Sequence, residues 1–175
     1  SEIDEVLKEI KRIIDELRER NRKHNEEVKD RIRRLEEELR KDLKDLKEIV
    51  ERLAKSNVDR EELDRILEEL RKRVKEVEER LEEIRRDLER SHEELDRENR
   101  RVHKELKERL DRTNVRGEAA DRARELEKEL KDISDTSRKS NEELRKRLEE
   151  IKDRVRKEIE KLLRELEEIV KEKRR

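Results

Sequence analysis

Three long rows of apolar residues, each advancing in steps of three and four, constrain this chain more than any other feature. The first row runs Ile3, Leu7, Ile10, Ile14, Leu17, then Val28, Ile32, Leu35, Leu39, Leu43, Leu46, Val50 and Leu53. Steps of three and four place side chains on one stripe of an α-helix, whereas a strand alternates with period two. From residue 3 to residue 53 the mean step is about 3.6, above the 3.5 of a strict heptad, so the helices are expected to be nearly straight. A second row runs from Leu63 to Leu110 and a third from Leu126 to Ile169. The chain has no Pro and one Gly, so nothing in the rows themselves stops a helix.

Two short breaks divide the rows. The first reads Ser56-Asn57-Val58-Asp59-Arg60-Glu61-Glu62-Leu63. Asn57 suits the left-handed residue that often ends a helix. Asp59 followed by Glu62 has the spacing of a capping box, with Val58 and Leu63 placed as a hydrophobic staple. The second break, Thr113-Asn114-Val115-Arg116-Gly117-Glu118, repeats the first, but Arg116 stands where Asp59 stands, so a weaker cap is expected there. Ser1 can cap the first helix, with Glu2, Asp4 and Glu5 in its first turn. Lys171, Lys173, Arg174 and Arg175 close the third, where cations favour the helix dipole. The expected fold is all-α: a single-chain, antiparallel, up-down-up three-helix bundle over 1–175, with helices at 2–55, 59–112 and 117–173 and turns near 56–58 and 113–116. Helices of that length imply a rod of roughly 80 Å.

Composition excludes several alternatives. Charged residues make up 62%, yet 54 Lys+Arg against 55 Asp+Glu leave a net charge of -1, which gives no general attraction to nucleic acid or anionic lipid. Leu, Ile and Val still supply about a quarter of the chain, more than disordered sequences carry. There is no Cys, Met, Phe, Tyr or Trp. Thiolate chemistry and disulfides are therefore absent, and a sheet-forming composition is lacking. No apolar run approaches the roughly 18 residues of a membrane-spanning helix, and no signal peptide opens the chain, so a soluble protein, cytoplasmic in an expression host, is expected.

Each row is interrupted once by a similar polar segment: His24-Asn25-Glu26-Glu27-Val28, Ser91-His92-Glu93-Glu94-Leu95 and Ser140-Asn141-Glu142-Glu143-Leu144. Asn21 and Ser137 extend the same inward rows. Counted from the expected helix ends, with the second helix reversed, the three segments fall at one level. Asn21, His24, Asn25, Ser91, His92, Ser137, Ser140 and Asn141 are thus candidates for a buried hydrogen-bond network, with Asn99 and Ser134 as a smaller set one layer away. A slip of register would set these groups against Leu, so such a layer penalises wrong pairings.

Sharper chemistries fit less well. His24 and His92 at one level suggest a pH response, with helix or monomer state lost between about pH 6 and 4. A metal site is not expected, because two histidines without Cys or an inward carboxylate fall short of zinc's ligand set. His103 lies off the main row. Catalysis is not expected either: Ser91 and His92 are sequence neighbours and do not face each other on a helix. No cofactor is implied.

The capped starts, acidic first turns, basic ends and near-copy loops Asn57-Val58 and Asn114-Val115 agree with one another at every level. In this the chain resembles de novo computationally designed helical bundles with buried hydrogen-bond networks. The resemblance implies a stable scaffold with no natural substrate. The apolar residues make one core with little left for a partner surface, so no required partner and a monomer are expected, or failing that a homo-oligomer. The alternative is a module that self-assembles or binds a partner through its helices. A natural coiled-coil spacer of the spectrin type fits less well, since such repeats are usually shorter and carry core aromatics.

Overall fold

A computed structural model describes residues 1–174; Arg175, expected among the closing cations, lies outside the described residues. It consists of α1 (Glu2–Lys55), α2 (Arg60–Arg112) and α3 (Glu118–Arg174), and no strand is present among the described residues. The fold is the all-α, up-down-up three-helix bundle that the apolar rows predict.

The helix starts follow from side-chain chemistry. Ser1 Oγ accepts the Asp4 amide at 3.3 Å, and Asp59 Oδ1 accepts the Glu62 amide at 2.8 Å. These bonds satisfy amides that a helix's first turn otherwise leaves unpaired. Val58 is half-buried against the core that contains Leu63, as a staple requires.

The helix ends correct two expectations. No residue other than Gly117 has a positive φ among those described, so Asn57 does not adopt the left-handed conformation expected of it. The end of α1 is closed instead by Ser56, whose Oγ donates to the Arg52 carbonyl at 2.6 Å while its amide donates to the Leu53 carbonyl at 3.4 Å. Thr113 does the same at the end of α2: Oγ1 donates to the Arg109 carbonyl at 2.8 Å and the amide reaches both Arg109 and Leu110. At the start of α3, Gly117 rather than Arg116 occupies the capping position. Its φ is 64°, and its carbonyl accepts the amides of Ala120 and Asp121 at 3.1 and 3.3 Å. Only glycine takes that backbone conformation without strain, and Arg116 is left exposed outside the helix.

The chain divides into two compact units. One is Ser1–Lys29 with Leu88–Arg145; the other is Asp30–Asp87 with the chain from Lys146 onward. In the first unit, Leu7, Ile10, Ile14 and Leu17 of α1 meet Val102, Leu106 and Leu110 of α2 and Ala123, Leu126, Leu130 and Ile133 of α3. Ion pairs give the helix directions. Along α1, Glu9 pairs with Arg109 at 2.7 Å and Arg20 with Glu98 at 2.8 Å, so α2 runs antiparallel. Asp4 pairs with Arg122 and Lys11 with Glu129, so α3 runs parallel to α1.

In the second unit, Leu46, Val50 and Leu53 of α1 meet Leu63, Leu67 and Leu70 of α2 and Leu166 of α3. Arg31 pairs with Asp87 at 3.7 Å and Asp42 with Arg80 at 2.6 Å, which again makes α1 and α2 antiparallel. Glu36 pairs with Arg147, and the Lys173 ammonium donates to the Ser56 carbonyl. In both units most of the outer ion pairs are exposed, so solvent screening leaves them weak contributors. Burial of each core Leu or Ile contributes roughly 1.5–3 kcal/mol and dominates.

Candidate functional site

The polar residues singled out by the sequence all belong to the first unit. Asn99 is the one buried polar residue among those described, only 2% exposed. A primary amide in that position needs partners, since an unsatisfied one costs about 1–3 kcal/mol. Asn21 supplies them from α1. Its Nδ2 donates to Asn99 Oδ1 at 2.8 Å, and Asn99 Nδ2 donates back to Asn21 Oδ1 at 2.8 Å. The second Asn21 amide proton goes to the Leu17 carbonyl at 2.9 Å. That carbonyl fixes the orientation of the pair, because Asn21 turned over would set its own oxygen against another oxygen.

Beside this pair, Arg20 bonds Glu98 at 2.8 Å, and Arg101 bonds the same carboxylate at 2.7 Å. The two guanidinium groups, Arg101 foremost, hold the Glu98 carboxyl below the usual range. One turn along α1, His24 Nε2 lies 2.9 Å from Ser91 Oγ of α2. Burial pushes the His24 imidazole down, with Glu27 opposing. Burial also pushes His92 down; Asp96 and Glu93 oppose, while His24 and Arg145 add to the effect. His103 is half-buried in the same unit.

The structure therefore joins Asn21 to Asn99 and His24 to Ser91, both across α1 and α2. Asn99 pairs with Asn21, although counting from the helix ends set them in adjacent layers. Asn25 is half-buried, and its Oδ1 is the one buried side-chain polar atom without a hydrogen-bond partner among the described residues. On α3, Ser134, Ser137, Ser140 and Asn141 are half-buried. The Asn21–Asn99 and His24–Ser91 hydrogen bonds run between α1 and α2. The Glu pairs that follow each polar segment (Glu26, Glu27, Glu93, Glu94, Glu142, Glu143) are exposed.

Among the described residues, no group of three or more His, Cys, Asp or Glu could hold a metal ion, and no helix is long and apolar enough to cross a membrane. A groove of about 240 Å³ follows α1 and α2 past Ile13, Leu17, Arg20, Glu98 and Val102. Another of about 260 Å³ in the second unit is floored by Leu81, Leu148, Val155 and Ile159. Neither is lined by Ser, Thr or His that could act as a nucleophile or as its base.

No protein family matches the chain, and no curated relative matches it. Its fold is that of a three-helix bundle. In particular, the structure is similar to a computationally designed three-helix bundle at 20% sequence identity, with a TM-score of 0.50 over 98% of this chain and 86% of that chain. The resemblance read from the caps and loops thus holds at the level of the fold.

Proposed function

We propose that the chain is a designed structural scaffold with no natural biochemical activity, a single bundle whose buried polar layer specifies helix register and pairing. The observation that carries this reading is the reciprocal Asn21–Asn99 pair. Two amides that satisfy each other at 2.8 Å cost little in the correct register. Slipping α2 against α1 would bury both against Leu or Val. The His24–Ser91 contact repeats the device one turn away, and the remaining candidates, Asn25, His92, Ser134, Ser137, Ser140 and Asn141, belong to the same layer in this reading. The similarity to a designed bundle supports the scaffold assignment. The two-sided core, drawn from all three helices in each unit, supports a monomer.

The test is the double variant N21L/N99L, examined by denaturation, light scattering and two-dimensional amide NMR. It should remain helical and at least as stable as the parent. It should also lose uniqueness, populating a second set of amide resonances or a second mass. A variant with one mass and one sharp set of resonances would overturn the register role.

A further inference from the structure

All three histidines of the chain, His24, His92 and His103, fall in the unit formed by Ser1–Lys29 and Leu88–Arg145. The ionisable side chains of the other unit are Asp, Glu, Lys and Arg alone. Carboxylates change charge near pH 4 and lysines near pH 10, so only the first unit carries groups of the type that titrates between about pH 5 and 7.

Two of them, His24 and His92, lie at the contact between α1 and α2. His24 Nε2 lies 2.9 Å from Ser91 Oγ, and His92 follows Ser91 directly. A neutral imidazole can donate to a hydroxyl or accept from it; an imidazolium can only donate. Charge also meets an unfavourable setting. His24 and His92 sense each other, so a proton on one opposes a proton on the other. Glu27 on α1 faces His24; Glu93 and Asp96 on α2 and Arg145 on α3 face His92. The three carboxylates temper the cost at the seam, Arg145 adds to it, and burial opposes the charge on both rings.

We infer that mild acid loosens the His24–Ser91 seam and with it the histidine-bearing unit, while the packing of the histidine-free unit persists, so that one chain holds an acid-sensitive and an acid-insensitive region. The direction follows from linkage. The unfolded chain takes up protons on His near pH 6.5, but the fold resists them. Stability is therefore full above about pH 6.5, declines as pH falls below it, and levels off once the folded imidazoles also protonate. This inference shares its seam with the scaffold reading but rests on His24 and Ser91, not on the asparagine pair.

Amide hydrogen exchange of the intact chain, corrected for intrinsic rates, tests it at about pH 7.5 and about pH 5. Amides around Leu17, Leu95, Val102 and Leu130 should lose protection at the lower pH, while those around Leu39, Leu70 and Val155 keep theirs. The H24Q/H92Q variant should abolish the loss, and H103Q should leave it in place. Equal loss in both units, no loss, or loss that survives H24Q/H92Q would overturn the inference. Should that variant fail to fold, the imidazole proton resonances of the parent decide: the loss of protection must fall between about pH 6.5 and the His24 and His92 midpoints, and a loss outside that window overturns it. Poor protection of the first unit already at about pH 7.5 would instead count against the scaffold reading.

Discussion

Asn99 and Asn21 are worth more as a pair than either is alone. N99A removes one amide and leaves Asn21 Oδ1 without its donor in a closed seam, so denaturant titration should show a loss of about 1–3 kcal/mol. N21L/N99L removes both polar groups and should be near neutral or stabilising, and the contrast between the two variants measures the cost of an orphaned amide rather than the strength of a bond. A purely apolar position behaves differently. Ile14 is fully buried, and I14A should cost about 2–5 kcal/mol, read as a shift of the denaturation midpoint at unchanged slope. The sequence made the inward placement of Asn21 and His24 readable, because both continue a row whose other members are Leu, Ile and Val. The Asn21–Asn99 partnership was not readable. It depends on the stagger of two helices, which counting from their ends leaves uncertain by a turn, and the two rows offer several polar partners at that spacing.

The breaks between helices show the same division between what is local and what is not. Asp59, Glu62, Val58 and Leu63 announce the start of α2 because capping and stapling act over five residues. D59A should cost about 1 kcal/mol, measured by thermal or chemical denaturation, whereas R116A should change little. Aligning Asn114-Val115 with Asn57-Val58 put Arg116 in the capping place. One more residue separates the second break from its helix, and Gly117 takes that place with φ 64°. No atom stands within 4 Å of where a Cβ would sit, so the penalty of G117A is conformational rather than steric. It should be about 1 kcal/mol, with G117N milder because Asn tolerates the left-handed region. Ser56 and Thr113 were read as loop residues and do lie just past α1 and α2, where their hydroxyls bond the carbonyls four residues back and close the two helices. The signal was present in the sequence as a Ser or Thr at the same place in both breaks.

Over the whole molecule, charge is abundant and weakly stabilising. Asp4, Glu9, Glu82 and Glu98 each lie beside a guanidinium that holds the carboxyl below its usual range. Their folded values lie below those of the unfolded chain, so their contribution is present above about pH 4 and is lost as pH falls further. Lys11, raised by Glu129, behaves oppositely: its contribution is present at neutral pH and lost only above about pH 10. Circular dichroism against pH should therefore show an acid transition below about pH 4 that molar salt alters only modestly, since the pairs are exposed and already partly screened. A collapse of the fold in molar salt at neutral pH would show that the ion pairs, not the apolar rows, hold it. The order of segments along the chain has a further consequence. The first unit takes residues 1–29 and then 88–145, and the second takes what lies between and after them. Neither unit is an uninterrupted stretch of sequence, so no single gene fragment encodes one without part of the other. A protease nick in the 56–59 turn would leave the first unit's α1 segment without a covalent link to its α2 and α3 segments.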